Sequence, residues 1–186
     1  MNIAVFCGSS GGNAPLYAQQ TRAFGHILAK EGHGLVYGGG KVGLMGTIAD
    51  AVLEKGGHVV GVIPHSLEQK ELGHTGVSEL HVVNSMHERK AMMAARADAF
   101  VALPGGVGTL EEIFEAWTWG QLGYHKKPIA FLDMGGFYTH LFAFLDHMQE
   151  EGFLQKIHRE MLIIETDPHL LLQRLHAYTP PRNKWE

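Results

Sequence analysis

The residues best suited to chemistry lie in Leu103-Pro104-Gly105-Gly106-Val107-Gly108-Thr109-Leu110-Glu111-Glu112. An apolar run stops at a proline, a glycine-rich turn follows, and Thr109-x-x-Glu112 reads as the start of a helix. Strand, glycine turn and helix N-terminus together make an anion site, because unpaired backbone N–H groups and the positive end of the helix dipole converge there. A carboxylate beside such a site needs an explanation. As a cap, Glu112 reaches back to the Thr109 N–H and completes a capping box with Thr109 as N-cap. As a chemical group, it faces positive charge that develops during reaction, as on the C1′ of a sugar whose glycosyl bond is breaking. Spacing alone favours the cap.

A second run shifts that balance. Met86-His87-Glu88-Arg89-Lys90 opens the preceding helix, and a strand over Asp98–Leu103 carries the chain from that helix to the glycine turn. Arg89 supplies a planar fork and Lys90 a point charge. A helix start is a poor place for cations that merely face solvent, since the dipole opposes them. With both beside the anion site, a phosphate becomes a handle whose binding energy holds the sugar against Glu112.

Two further glycine clusters resemble known motifs and fail their tests. Gly38-Gly39-Gly40-Lys41-Val42-Gly43 fits G-x-G-x-x-G, but the next strand ends Val62-Ile63-Pro64-His65, without the acid that holds a ribose hydroxyl in dinucleotide sites. Gly40-Lys41 lacks the upstream glycine and the Ser/Thr of a P-loop. Gly8-Ser9-Ser10-Gly11-Gly12 matches the pattern of a hydrolase nucleophile elbow, yet follows the first strand, where a plain βα turn is the simpler reading. What remains in both is close backbone approach to a ligand, with Gly8, Ser9, Gly39 and Gly40 as candidate nucleotide contacts.

These turns need a scaffold that brings them together. Strands are expected over Ile3–Cys7, Gly34–Tyr37, His58–Ile63, Ala99–Leu103, Ile129–Leu132 and Met161–Ile164. Helices are expected over Pro15–Lys30, Leu44–Lys55, Met86–Arg96, Leu110–Leu122, Tyr138–Glu150 and Pro168–Leu175. Near-continuous apolar strands alternating with helices predict an α/β fold. It is a single-domain, Rossmann-like, doubly wound and mainly parallel sheet with helices on both faces. Such a sheet binds ligands beyond the carboxyl ends of its strands, where all three glycine clusters fall. The domain is expected over 1–178, with an irregular tail over 179–186.

Composition narrows the classes. The 186 residues carry a formal charge of −4, with 45% hydrophobic and 18% charged. No basic stretch provides the footprint that a nucleic acid polymer or an anionic membrane requires. The single cysteine, Cys7, excludes an internal disulfide. No signal peptide or membrane span is read, so a cytoplasmic protein is expected. The 13 histidines include none spaced i,i+4, and the pairs seven apart on a helix stand roughly 10.5 Å from one another, so no metal site is expected.

The combination Pro104-Gly105-Gly106-x-Gly108-Thr109-x-x-Glu112 with Met86-His87-Glu88-Arg89-Lys90 closely resembles the LOG family. Its members are cytokinin riboside 5′-monophosphate phosphoribohydrolases, often mislabelled lysine decarboxylases. The resemblance extends through Phe6-Cys7-Gly8-Ser9-Ser10, Tyr37-Gly38-Gly39-Gly40, Val42-Gly43-Leu44-Met45-Gly46, Gly61-Val62-Ile63-Pro64 and Trp117-Thr118-Trp119-x-Gln121-Leu122-Gly123. It implies a Rossmann-like homodimer with the active site close to the subunit interface. It also implies hydrolysis of AMP, or of an N6-modified riboside 5′-monophosphate, to free base and ribose 5-phosphate, with no cofactor. Arg89 and Glu112 become the catalytic pair. Glu71, Arg89, Lys90, the run Gly105-Gly106-Val107-Gly108-Thr109-Leu110-Glu111-Glu112, and Thr118 become substrate contacts. Val107 departs from the aromatic residue that many relatives carry. Two rival readings of the same residues are a non-catalytic nucleotide carrier and a transferase moving deoxyribose between bases. The adjacent Arg89-Lys90 favours a phosphorylated substrate over the latter.

Overall fold

The computed structural model describes residues 1–70 and 72–181. Among these residues, seven strands form one all-parallel sheet: β1 (Asn2–Phe6), β2 (Gly34–Tyr37), β3 (Val59–Pro64), β4 (Glu79–Val83), β5 (Ala99–Ala102), β6 (Ile129–Leu132) and β7 (Leu162–Glu165). The helices among the described residues are α1 (Pro15–Lys30), α2 (Gly43–Glu54), α3 (His65–Glu68), α4 (Met86–Arg96), α5 (Val107–Gln121), α6 (Thr139–Glu150), α7 (Lys156–Arg159) and α8 (Pro168–His176).

Six of the strands were legible as apolar runs. The addition is β4, whose Glu79-Leu80-His81-Val82-Val83 mixes polar and apolar residues because it lies at the sheet edge and only Val83 is buried. The short α3 and α7 also went unread, since one turn of helix leaves too little periodicity to detect. Residues 179–181, the described part of the expected tail, carry no helix or strand, and Tyr178 just before them packs against the core. Residues 182–186 of the expected tail lie outside the described residues.

The order β4-β3-β2-β1-β5-β6-β7 positions the site. The chain winds outward from β1 to β4, then crosses back and winds outward the other way from β5 to β7. The reversal falls between β1 and β5, so the turns leaving those two strands diverge and open a crevice at their carboxyl ends. Buried side chains make two cores, one on each face. Phe24, Leu28, Ile48 and Leu171 lie on the face covered by α1, α2 and α8. Met93, Ile113, Trp117 and Leu145 lie on the face covered by α4, α5 and α6.

Candidate active site

The glycine turns meet at the switch point. The Gly8 N–H donates to the Pro104 carbonyl at 3.0 Å, and the Leu44 N–H donates to the Gly8 carbonyl at 3.0 Å. The turn after β1 is thereby joined both to the β5–α5 turn and to the start of α2. Glycine is required here by close approach. A Cβ on Gly105 would run into Thr109 Oγ1, and one on Gly8 would sit 3.1 Å from the Ser10 carbonyl oxygen.

Helix α5 begins at Val107, two residues before the expected N-cap Thr109. Its N-cap is Gly106, with an extended backbone and no side-chain cap. The first backbone bond of the helix runs from the Leu110 N–H to the Gly106 carbonyl at 3.2 Å, so the Val107, Gly108 and Thr109 N–H groups precede the intrahelical ladder. The expected capping box is therefore not formed. Thr109 is the third helical residue and buried, and Glu112 lies in the second turn, beyond the reach of a cap. The cause is the absence of side chains at Gly105 and Gly106, which lets the chain turn into a helix sooner than a Thr-x-x-Glu pattern implies.

Helix α4 holds Arg89. Its N-cap is Ser85, whose Oγ accepts from the Glu88 N–H at 3.1 Å, while Glu88 Oε2 accepts from the Asn84 N–H at 2.8 Å. Arg89 follows in the next position and is only 4% exposed. Its Nη2 donates to the Gly38 carbonyl at 2.8 Å, and its Nη1 approaches Met86 Sδ at 3.8 Å. A Cβ on Gly38 would occupy the place of Nη2.

Between these elements lies a cavity of about 400 Å³. Glu112, Glu111, Thr109, Gly108, Val107 and Gly106 line it from α5 and its turn; Arg89 and Met86 from α4; Cys7, Gly8 and Ser9 from the β1 turn; Met45 and Leu67 from the remaining side. Burial, and secondarily the Glu112 carboxylate, pushes the Cys7 thiol far above its ordinary value, so that thiol is neutral. Its neutrality suits it to a wall, not to a nucleophile. Among the described residues, no group of three or more His, Cys, Asp or Glu is placed to hold a metal ion.

Several expected contacts lie elsewhere in this chain. The Lys90 ammonium sits 2.5 Å from Glu111 Oε1 and 3.0 Å from Glu115 Oε2. Burial alone would lower its pKa, but hydrogen bonds and charge from these two carboxylates outweigh that and hold it above its ordinary value. Thr118 is exposed and its hydroxyl donates back to the Phe114 carbonyl at 2.8 Å, away from the cavity. Leu110 faces an apolar trough instead, and Gly105 borders a second hollow of about 220 Å³ behind the turn. Gly39, at φ +76°, packs under Ile63 and Leu80, and Gly40 bridges to Gly73. Glu71 lies outside the described residues. Sequence reasoning missed Gly38 as the acceptor for Arg89. It also missed Leu67 as a wall, because α3 was not anticipated.

Fold and site together define a Rossmann-like protein with an open helix start for an anion and an arginine and a carboxylate on one cavity. A family model described as "Possible lysine decarboxylase" matches residues 45–175. A "Probable cytokinin riboside 5′-monophosphate phosphoribohydrolase" of Oryza sativa subsp. japonica is 48% identical over 96% of this chain and 78% of that protein. A cytokinin riboside 5′-monophosphate phosphoribohydrolase of Arabidopsis thaliana is 46% identical over 96% of this chain and 84% of its own length. A solved molybdenum cofactor carrier protein of Chlamydomonas reinhardtii shares the fold, with TM-score 0.72 and 22% identity over 95% of this chain and 98% of that one. The chain belongs to the LOG family, whose curated members at this level of identity are phosphoribohydrolases.

Proposed function

We propose that this protein hydrolyses the N-glycosidic bond of AMP or an N6-modified adenosine 5′-monophosphate. Water adds to C1′ and the free base departs, leaving ribose 5-phosphate. The observation that carries the reading is the start of α5 at Val107, which leaves its first N–H groups for a phosphate and turns Glu112 onto the cavity. The phosphate binds at Gly106, Gly108 and Thr109, where helix dipole and backbone donors favour an anion. Glu112 stabilises the oxocarbenium character at C1′ or orients the attacking water. Arg89, fixed on Gly38, holds the phosphoribosyl group in register with it.

The direct test incubates the purified protein with AMP and with isopentenyl-AMP in the presence of chelator, and follows free base by chromatography. The reading requires release from at least one. A nucleotide carrier on this fold gives binding without turnover, and base release from an unphosphorylated nucleoside that equals that from AMP and depends on an added acceptor base, to which the sugar passes, points to the transferase class.

The working unit in this proposal is a cytoplasmic homodimer acting on a small nucleotide, without nucleic acid polymer or membrane. No helix among the described residues is long and apolar enough to cross a membrane. An apolar trough between α5 and α6, lined by Leu110, Phe114, Leu141, Phe144 and Met148, begins at Val107, which also borders the cavity. A second copy seated there would bring the interface beside the site. Sedimentation of a monomer at micromolar concentration would contradict it.

A further inference from the structure

Arg89 leans on a carbonyl in a turn that has little means of holding itself. Gly38, Gly39 and Gly40 bring no side chains, and Gly39 lies at φ +76°. The turn is held from outside by the segment 72–76. The Lys41 N–H donates to the Leu72 carbonyl at 3.0 Å, Gly40 pairs with Gly73 in an antiparallel bridge, and the His74 N–H donates to the Gly39 carbonyl at 2.8 Å. Leu72, at φ +49°, is the one non-glycine residue in the left-handed region among the described residues, a conformation that persists only where its surroundings over-determine it.

The buried His74 ring fixes this strap. Its Nδ1 accepts from the Gly76 N–H at 3.2 Å, so the proton is on Nε2, which donates to Asp50 Oδ1 at 2.8 Å. Asp50 stands on α2, whose Ile48, Ala49, Ala51 and Val52 are buried in the body of the fold. An unbroken series of bonds therefore runs from α2 through Asp50, His74 and Gly39 to the turn whose Gly38 carbonyl receives Arg89.

We propose that His74 and Asp50 are positioning residues that hold Arg89 in its reactive orientation through the Gly38–Gly39 turn. The proposal rests on the hydrolase reading given above. The phosphate handle at the start of α5 shares no residue with the strap, so loosening the strap leaves substrate binding largely intact. The arginine fork is what moves, and a displacement of about 1 Å at a reacting site costs on the order of 100-fold in rate.

The test compares steady-state kinetics of AMP hydrolysis for His74→Ala, Asp50→Ala and Asp50→Asn, with thermal unfolding recorded for each. Asp50 is half-exposed, so its variants decide the matter if His74→Ala does not fold. The expected result is a kcat lowered at least about 10-fold in both alanine variants with KM within about 3-fold. Asp50→Asn, whose amide oxygen still accepts from Nε2–H, restores kcat to within about 3-fold of the parent. In an Arg89→Lys background, which lacks the fork, the His74→Ala loss should shrink below about 3-fold, because the two changes act through one contact. Alanine variants with unchanged kcat, a rise in KM alone, or losses that multiply fully in the Arg89→Lys background would overturn the proposal. An inactive parent protein would defeat the hydrolase reading itself, whereas an active parent with unaffected variants defeats only the strap.

Discussion

Two helix starts face each other across the cavity, and they carry the same pattern. Ser85-x-x-Glu88 opens α4 and Thr109-x-x-Glu112 lies at the opening of α5. At α4 the pattern does what its chemistry suggests: Ser85 caps the helix, and Glu88 reaches back to the Asn84 N–H. At α5 it does not. Glycines at positions 105 and 106 bring the helix start forward to Val107, leaving the cap without a side chain, Thr109 buried and Glu112 on the cavity. One start is closed by its own residues, and the other is open for a ligand. A capping pattern is thus a statement about which donors need partners, and the backbone before it decides whether the chain or a bound anion supplies them.

The sharpest way to break the contrast from the α4 side is to disturb what the closed helix delivers. Gly38→Ala places a methyl where Arg89 Nη2 lies, and Arg89→Lys removes the fork; each should lower kcat for AMP by about 100-fold. A fall of less than about 3-fold in both would remove Arg89 from the mechanism. Closing the open start is the reciprocal experiment. A side chain at Gly106 meets no heavy atom within 4 Å, so Gly106→Ser can cap α5. It should raise the KM for AMP about 10-fold while adding a few tenths of a kcal/mol of stability, since the new hydroxyl competes with phosphate for the same N–H groups.

Opening the closed start should do the reverse. Ser85→Ala is expected to cost about 1 kcal/mol in urea unfolding and to leave KM unchanged. Lys90→Met should change KM less than about 5-fold, since its charge is engaged by Glu111 and Glu115 at 2.5 and 3.0 Å; a larger rise would mean that substrate recruits it from those partners. The smallest effect concerns Cys7. Burial, more than Glu112, raises its thiol pKa, so alkylation by iodoacetamide near about pH 8.5, where a free thiol is half ionised, should be slow in the native protein. Because the folded value is raised, the stability linked to Cys7 is fully present below the unfolded pKa and declines as pH rises above about 8.5.

Much of this arrangement was legible in the residues because it depends on local rules. Buried parallel strands have to be apolar on both faces, and that exposed six of the seven. Glycine turns at strand ends mark close backbone approach, and that located the crevice. The parts that stayed hidden depend on distant contacts or on polar compensation. The edge strand β4 looks like a loop because its exposed side needs no apolar residue. Lys90 looks like a phosphate ligand until α5 brings Glu111 and Glu115 beside it across 21 and 25 residues of sequence. Gly38 looks like its glycine neighbours until Arg89, 51 residues away, is seated on its carbonyl. Glu112 looks like the far end of a capping box until the start of α5 at Val107 places it in the second turn, lining the cavity, where the proposed function gives it its chemical role.

The central claim is that the two glutamates, alike in pattern, differ in purpose. It is tested most directly by comparing Glu112→Gln with Glu88→Gln for adenine release from AMP and for unfolding free energy. The account predicts that Glu112→Gln loses at least about 100-fold in kcat with little change in stability, while Glu88→Gln, whose amide oxygen still accepts from the Asn84 N–H, keeps its activity and loses no more than a few tenths of a kcal/mol. Activity within a few-fold of the parent in Glu112→Gln would contradict it.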